Sequence, residues 1–229
     1  MAPVPVTTMF NRIHMLFHQP ERGWDPIPSH YAREYADYAC SNMDRLIVAT
    51  LENKLGGLRD KRVIDLGGGP GQYSVAFAQR GAHVLWHDVS KNYLQIAREA
   101  AAAAGVTMEF SVGHLEDSKR FADVPFDLVF CRVCWCYSTD DRRFAKLVYS
   151  LIKPGGAAYI ESNTPAFARP SGLRKAQHAL NSLFRVKIGH PLPPRGRIAR
   201  LLQRCPFDYM ELDYSSPLTD KVFLRKSHN

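Results

Sequence analysis

The residues in this chain whose types and spacing could bind a ligand are glycines in a short turn that follows an aspartate. The turn lies in the run VIDLGGGPGQYS at positions 63–74, and its glycines are Gly67, Gly68, Gly69 and Gly71. Glycine has no Cβ, so the backbone can approach a ligand closely and adopt positive φ where the path requires it. Asp65 precedes the turn, and a carboxylate there suits a ligand that carries an ammonium group or hydroxyls.

The spacing of these glycines argues against a dinucleotide. A turn that cradles a pyrophosphate has the form G-x-G-x-x-G, in which the last glycine allows close packing of the helix. Here the spacing is G-x-G-x-G, Pro70 intrudes, and Gln72 stands where the last glycine of the dinucleotide pattern would be. The turn therefore disfavours a dehydrogenase.

A second carboxylate follows at a distance that suits a ribose. The apolar run from Ala82 to His87 predicts a strand, and Asp88 comes directly after it, 17 residues beyond Gly71. An ionised carboxylate is a strong hydrogen-bond acceptor and can accept from both hydroxyls of a ribose.

With these features the stretch from about Arg62 to Ser162 resembles the class I S-adenosylmethionine-dependent methyltransferases, and in particular their ubiquinone-pathway and tRNA-uridine carboxymethyl branch. The resemblance implies a methyltransferase with S-adenosyl-L-methionine as its cofactor. It also implies a Rossmann-like, doubly wound α/β fold with a seven-stranded, mostly parallel sheet whose last strand is antiparallel. The order of apolar runs agrees, because strand and helix alternate five times before two final strands joined by a short turn.

The resemblance also implies where the cofactor binds. Ligands of such sheets lie at the carboxyl ends of the strands. The expected cofactor-binding residues are Asp65, Gly67, Gly68, Gly69, Gly71, Asp88, Val89, His114, Leu115, Cys131, Arg132, Tyr31 and Tyr35. Val89 and Leu115 would cover the adenine, although core packing is an equal interpretation of Leu115. His114 stands where relatives usually have an acidic residue.

Tyr137 is the candidate catalytic residue. It aligns with a position where ubiquinone-type relatives often have a histidine that acts as a general base. A tyrosine with an ordinary pKa near 10 is a poor base at neutral pH. Methyl transfer depends mainly on alignment and a dry pocket, so the missing histidine does not exclude activity.

A basic segment departs most from the background composition. From Ser162 to Phe207 there is no Asp or Glu, and nine Lys and Arg residues account for the whole formal net charge of +8. We expect this segment to form a lid over the acceptor, with Arg195 and Arg197 binding an anionic or phenolic small molecule that is methylated on oxygen. The alternatives are an RNA-binding patch, an amphipathic helix on an anionic membrane, and a solvated face.

The chain of 229 residues is expected to form one methyltransferase domain. Its predicted parts are an amino-terminal arm and helix that cover the site (1–57), a cofactor-binding core (58–162), a basic acceptor-side insertion (163–206) and a final strand pair (207–229). Within the first part, we define the arm as Gln19–Ser29, and Tyr31 to Leu55 is predicted to be one helix. A tRNA nucleoside methyltransferase and a non-catalytic cofactor-binding partner are the alternative functions.

Cysteine usage and apolar runs bear on location. The chain has five cysteines and lacks a signal-peptide pattern, which favours a reducing cytoplasm. No apolar run approaches the roughly 20 residues that span a bilayer. Three closely spaced thiols, those of Cys131, Cys134 and Cys136, could in principle bind a soft metal. We expect them to be packing residues instead and predict no metal site.

Overall fold

The computed structural model describes residues 18–166, 176 and 190–228. Its centre is a seven-stranded sheet in the order β3-β2-β1-β4-β5-β7-β6. The strands are β1 (Arg62–Leu66), β2 (His83–Asp88), β3 (Glu109–Val112), β4 (Phe126–Arg132), β5 (Ile152–Asn163), β6 (Phe207–Asp213) and β7 (Thr219–Lys226). The first five are parallel, whereas β7 pairs antiparallel with both β5 and β6. The predicted fold class is confirmed.

Helices cover both faces of the sheet. In the described part of the chain they are α1 (Ser29–Ser41), α2 (Arg45–Leu55), α3 (Gln72–Ala78), α4 (Lys91–Ala103), α5 (Asp141–Leu151) and α6 (Arg197–Leu202). Short 3-10 helices occupy Pro20–Arg22, Leu115–Phe121 and Trp135–Tyr137.

The central strands are apolar on both sides because each face is covered. Val63 of β1 packs with the core beneath α2 and α3, whereas its neighbour Ile64 packs with the core beneath α5 and α6. Successive side chains of a strand point to opposite faces, so a fully buried parallel strand needs an uninterrupted apolar run.

Strand order fixes where a ligand binds. The chain reverses its direction across the sheet between β1 and β4, which are neighbours although β2 and β3 intervene in sequence. The carboxyl ends of the strands at such a switch point form a crevice. Asp65, Asp88 and Arg132 lie at the carboxyl ends of β1, β2 and β4, so the topology brings them to this crevice.

Two local predictions were wrong. The single helix expected from Tyr31 to Leu55 is interrupted at Asn42, because the Asp44 side chain accepts a hydrogen bond from the backbone N–H of Leu46 and starts a second helix. From its residue type, Thr139 is predicted to cap the helix that follows β4, but it does not cap α5. Asp140 instead accepts from the backbone N–H groups of Arg142 and Arg143, and Thr139 donates to the carboxylate of Glu116.

Half of the predicted acceptor-side insertion (163–206) lies outside the described residues, including five of its nine basic residues. Among the helices that the structure describes, none combines the length and apolarity that crossing a membrane requires.

Candidate active site

The glycines of the turn differ in what surrounds them. A Cβ on Gly67 would lie 2.6 Å from the Cβ of Cys134, and a Cβ on Gly68 would lie 2.4 Å from the Trp86 ring. Gly71 has φ +89° and faces Ala97 of α4. Gly69 differs from these three: its φ is +50°, and a Cβ there would meet no atom within 4 Å. Three glycines therefore permit packing, whereas Gly69 borders open space.

Asp88 holds the turn in place from the neighbouring strand. One carboxylate oxygen accepts from the backbone N–H of Gly69 at 2.9 Å, and the other accepts from the N–H of Ser90 at 2.9 Å. Burial raises the pKa of Asp88 to about 6, against the effect of these hydrogen bonds. A carboxylate offers about four lone-pair sites, so each oxygen can still accept a hydroxyl.

Asp65 is buried and forms no ion pair with the described residues, although the charge of Arg132 acts on it from a distance. Its Oδ2 accepts from the hydroxyl of Ser74 at 2.6 Å. Burial raises the pKa of Asp65 to about 7, and the nearby charge of Asp88 adds to this effect. Within the described residues neither carboxylate forms an ion pair. A buried carboxylate without a cation is costly for a protein, and such groups concentrate at functional sites.

Gln72 is a candidate that sequence reasoning passed over. Its side-chain oxygen is buried and has no hydrogen-bond partner among the described residues. It follows Gly71 at the start of α3, beside the turn. An orphaned acceptor next to two carboxylates suits a ligand rich in N–H and O–H donors, and thus fits the ammonium and hydroxyl groups of S-adenosylmethionine.

The wall after β3 is built around a buried histidine. His87 has one ring nitrogen 2.9 Å from Ser111 Oγ and the other 2.8 Å from the carbonyl oxygen of His114. Burial lowers the pKa of His87, which favours the neutral imidazole. Its ring thereby fixes the position of His114. Leu115 is buried in the apolar core, while Val89 is half-buried at the opposite wall.

The segment after β4 carries backbone strain. Val133 has φ +55°, a conformation that β-branched residues rarely adopt, and its N–H donates to the carbonyl oxygen of Glu161. Strained residues of this kind cluster at active sites and ligand clamps. Arg132, next to it, donates to the carboxylate of Glu161 at 2.9 Å, and that carboxylate also accepts from the hydroxyl of Tyr159. Glu161 was not anticipated from the sequence.

The cysteines of this segment pack rather than face the crevice. Cys131 is fully buried, its Sγ lies 3.3 Å from that of Cys134, and Cys134 donates to the carbonyl oxygen of Leu66. The hydrogen bond with Cys131, together with burial, raises the pKa of the Cys134 thiol. The part of the chain that the structure describes contains no cluster of three metal-ligating side chains.

Tyrosine contacts join α1 to α4. Tyr35 stacks with Tyr31 at a centroid distance of 6.2 Å and contacts Tyr93 of α4 at 6.0 Å. Burial raises the pKa of Tyr35, and the charges of Arg132 and Asp88 also act on it. Tyr31 is 49% exposed, and a role of Tyr31 and Tyr35 in cofactor binding stays a prediction.

Tyr137 lies at the mouth of the crevice. Its side chain is 58% exposed, yet desolvation by the surrounding protein raises its pKa to about 12, with the nearby Cys136 adding to the shift. A phenol with this pKa is a still weaker base than an ordinary tyrosine. Its ring contacts that of His190 at a centroid distance of 5.0 Å. The insertion thus brings an imidazole to the candidate catalytic residue.

The two arginines predicted to bind the acceptor have protein partners. The Nε of Arg195 lies 3.9 Å from Asp220 Oδ1, and the guanidinium also donates to the carbonyl oxygen of Tyr214. The Nε of Arg197 lies 3.6 Å from the carboxylate of Asp141 at the start of α5. Both contacts attach the end of the insertion to the body of the protein. A role in acceptor binding stays a prediction.

Comparison with known proteins agrees with this geometry. Residues 63–156 match the family model described as "Methyltransferase domain". A ubiquinone biosynthesis O-methyltransferase of Aeromonas salmonicida is 31% identical over 112 residues, covering 49% of this chain and 47% of the relative. A tRNA 5-carboxymethoxyuridine methyltransferase of Escherichia coli is 31% identical over 117 residues, covering 50% of this chain and 42% of the relative. Both matches therefore span less than half the length of the relative.

The fold is shared with solved methyltransferases. The structure of phosphoethanolamine N-methyltransferase 2 of Haemonchus contortus, in complex with S-adenosyl-L-methionine, aligns with a TM-score of 0.59 at 18% identity. The alignment covers 79% of this chain and 52% of that one. Residues 63–156 thus belong to the methyltransferase domain family, and over this stretch the chain is similar to class I S-adenosylmethionine-dependent methyltransferases. The predicted family is confirmed, and with it S-adenosylmethionine as the cofactor of the family.

Proposed function

We propose that this chain transfers a methyl group from S-adenosylmethionine to a small acceptor, with an anionic or phenolic molecule methylated on oxygen as the favoured substrate. One observation carries the proposal: Asp65 and Asp88, both buried and both without an ion pair among the described residues, lie on either side of a glycine turn that borders open space at Gly69. Bound S-adenosylmethionine supplies an electrophilic methyl group on a positively charged sulfur.

The surrounding side chains divide the binding of this cofactor between them. In the proposal, Asp65 and the orphaned amide oxygen of Gln72 accept from its ammonium group, and Asp88 accepts from its ribose hydroxyls. Val89 and Leu115 border the adenine, with His114 beside it. Cys131 and Arg132 contribute the backbone and the wall at the methionine end.

The acceptor is proposed to approach past Tyr137. The contact between Tyr137 and His190 supports this, because it brings the predicted insertion (163–206) to the end of β4. A neutral imidazole such as that of His190 can accept a proton from a phenol or hydroxyl acceptor. The covering part (1–57), the core (58–162) and the final strands (207–229) complete the proposed single domain. A reducing cytoplasm is also proposed, and the finding that all five cysteines are free supports it.

A tRNA nucleoside is the alternative acceptor. The nine positive charges of the insertion favour it, since neutralised phosphates supply most non-specific affinity for nucleic acid. A non-catalytic cofactor-binding partner is the other alternative. All three functions predict saturable binding of the cofactor. They differ in the methylated product, which is a small molecule for the favoured function, tRNA for the first alternative, and none for the second.

The experiment is a methyl-transfer assay with S-adenosylmethionine labelled on its methyl group. The acceptors are a panel of phenols and aromatic carboxylic acids, with unfractionated tRNA in a separate arm. We expect label in a small phenolic product, loss of that label in Asp88→Ala, and no loss in Asp123→Ala, which removes an exposed carboxylate before β4. Label in tRNA alone would replace the favoured acceptor. Cofactor binding that survives both Asp88→Ala and Gly69→Val would show that the site is wrongly placed.

A further inference from the structure

The arm (Gln19–Ser29) is fastened to the protein directly after β2. Its Asp25 carboxylate accepts from the hydroxyl of Ser90 at 3.1 Å and from the backbone N–H of Asn92 at 2.9 Å. In return, the side-chain amide of Asn92 donates to the carbonyl oxygen of Ile27 at 2.7 Å. These contacts attach the arm to the start of α4, one residue beyond Val89.

The same region of the chain is fastened a second time, after β3. A ring nitrogen of His114 lies 2.9 Å from the carbonyl oxygen of His18, the residue before the arm. The indole of Trp24 stacks on the His114 ring at a centroid distance of 5.9 Å and an interplanar angle of 23°, and it meets the His18 ring edge-on at 4.8 Å. His114 is itself held by His87 and by Asp117, so this anchor is rigid.

The two anchors follow neighbouring strands of the sheet. Ser90 and Asn92 follow the carboxyl end of β2, and His114 follows the carboxyl end of β3, its neighbour in the sheet. A segment attached at both ends therefore crosses the gap between Val89 and His114. In the proposed function this gap receives the adenine. Trp24 lies at the crossing, half-buried, with one face of its ring on His114.

We infer that Trp24 is a specificity residue for the adenine of the cofactor and that the arm is a latch which must release before the cofactor can exchange. The inference rests on the proposed function. A purine has an apolar, polarisable face, and an indole beside it both stacks on it and excludes water. The position that relatives fill with an acidic residue is occupied here by His114, so the contact with the base comes from the arm.

Affinity for S-adenosylhomocysteine, which binds without turnover, tests the inference by calorimetry. A base–aromatic stack contributes enough that we expect Trp24→Ala to weaken binding about 10- to 100-fold. Trp24→Phe keeps an aromatic ring and should retain most of the affinity. Asp25→Ala leaves Trp24 in place but removes one anchor, so it should speed dissociation of the ligand. Arg22→Ala changes an exposed side chain of the same arm and should have no effect.

A fluorescence measurement gives an independent readout. Trp86 and Trp135 are fully buried, so acrylamide should quench mainly the emission of Trp24. We expect S-adenosylhomocysteine to protect wild-type emission from acrylamide and to have no such effect in Trp24→Phe. Thermal unfolding should be similar for all the arm variants, because Trp24 and Asp25 lie outside the apolar core clusters.

The outcomes separate the two proposals. A wild-type protein that does not bind S-adenosylhomocysteine overturns both of them. The second outcome is that the wild-type protein binds S-adenosylhomocysteine, Trp24→Ala and Asp25→Ala have the same affinity and dissociation rate as wild type, and the ligand leaves acrylamide quenching unchanged. This outcome overturns the latch and leaves the proposed function standing.

Discussion

Replacing Asp65 with Asn should make the ligand-free protein more stable while weakening its affinity for the cofactor. Asp65 is buried at the carboxyl end of β1, accepts one hydrogen bond from Ser74 and has no ion pair among the described residues. The fold therefore bears most of the cost of this charge, because the more distant Arg132 offsets only a small part of the effect of burial. An amide of the same shape removes the charge and keeps an acceptor for Ser74.

The size of the effect follows from the pKa shift. Burial raises the pKa of Asp65 from 3.8 to about 7. Because the folded state then binds the proton more tightly than the unfolded state, stability falls as the pH rises from about 4 to 7 and stays low above that range. A shift of this size corresponds to roughly 4 kcal/mol. Asn must still be desolvated, so we expect Asp65→Asn to raise the free energy of unfolding at pH 8 by about 2 to 4 kcal/mol.

The assay is urea unfolding of the ligand-free protein at pH 5, 6.5 and 8, with Asp123→Asn as the control for loss of an exposed carboxylate. The difference between wild type and Asp65→Asn should grow with pH, while the control should follow wild type throughout. Calorimetry with S-adenosylhomocysteine should show a loss of affinity of about 10- to 100-fold, the value of a hydrogen bond to a charged group.

The reasoning is refuted if Asp65→Asn is less stable than wild type at pH 8, since the carboxylate would then be a net stabilising group. It also fails if the two proteins have the same dependence of stability on pH. In either case the Ser74 hydrogen bond would outweigh burial of the charge, and Asp65 would be a structural residue.

Three further predictions concern other residues of the site. Affinity for S-adenosylhomocysteine should fall as the pH is lowered from 7 to 5, because burial raises the pKa of Asp88 to about 6 and its protonation removes acceptors for the ribose hydroxyls. Titration calorimetry of Asp88→Asn should show weaker binding with a smaller dependence on pH, and the remaining dependence should come from Asp65. His190→Ala should lower kcat/KM for the acceptor without changing cofactor affinity, and an equal change in both would contradict an acceptor-side position. Combined replacement of Arg195 and Arg197 by Ala should raise the KM for the acceptor in steady-state kinetics and leave the cofactor Kd unchanged in binding measurements. A fall in thermal stability with an unchanged KM would show that the ion pairs of these arginines only hold the insertion in place.

Much of the fold could be predicted because its signals are local. The apolar run before the glycine turn and the short turn between the last two strands each specify a structure from neighbouring residues. The break at Asn42 was missed because the helical pattern continues across it, and only the capping bond of Asp44 marks a second start. Thr139 and Asp140 are adjacent and both cap helices well, so sequence alone could not choose between them.

The candidate site was predictable to the extent that it follows the strand ends. Asp65 and Asp88 sit where the motif and the sheet rule place them. Glu161, by contrast, is one acidic residue at the end of an apolar strand, and its role appears only when the parallel register puts it beside Arg132. The strain at Val133 is equally hidden, since valine gives no signal of positive φ. Gln72 gave a signal in the sequence, because it stands where the dinucleotide pattern has its last glycine. That its side-chain oxygen lacks a hydrogen-bond partner among the described residues could be learned only from the packed structure.

Three features raise the free energy of the ligand-free protein and so favour binding of the cofactor. Asp65 and Asp88 are buried with raised pKa values, and Val133 is held in a conformation that costs of order 1 to 3 kcal/mol. A cationic ligand rich in hydroxyls offsets the first two costs directly, since it ionises the carboxyl groups and releases their protons. Binding of S-adenosylhomocysteine below pH 7 should therefore release protons, which calorimetry in buffers of different ionisation enthalpy detects, and the release should be smaller in Asp65→Asn. Binding without proton release at pH 6 would mean that both carboxylates are already ionised, and that their burial is offset by contacts within the protein rather than by the ligand.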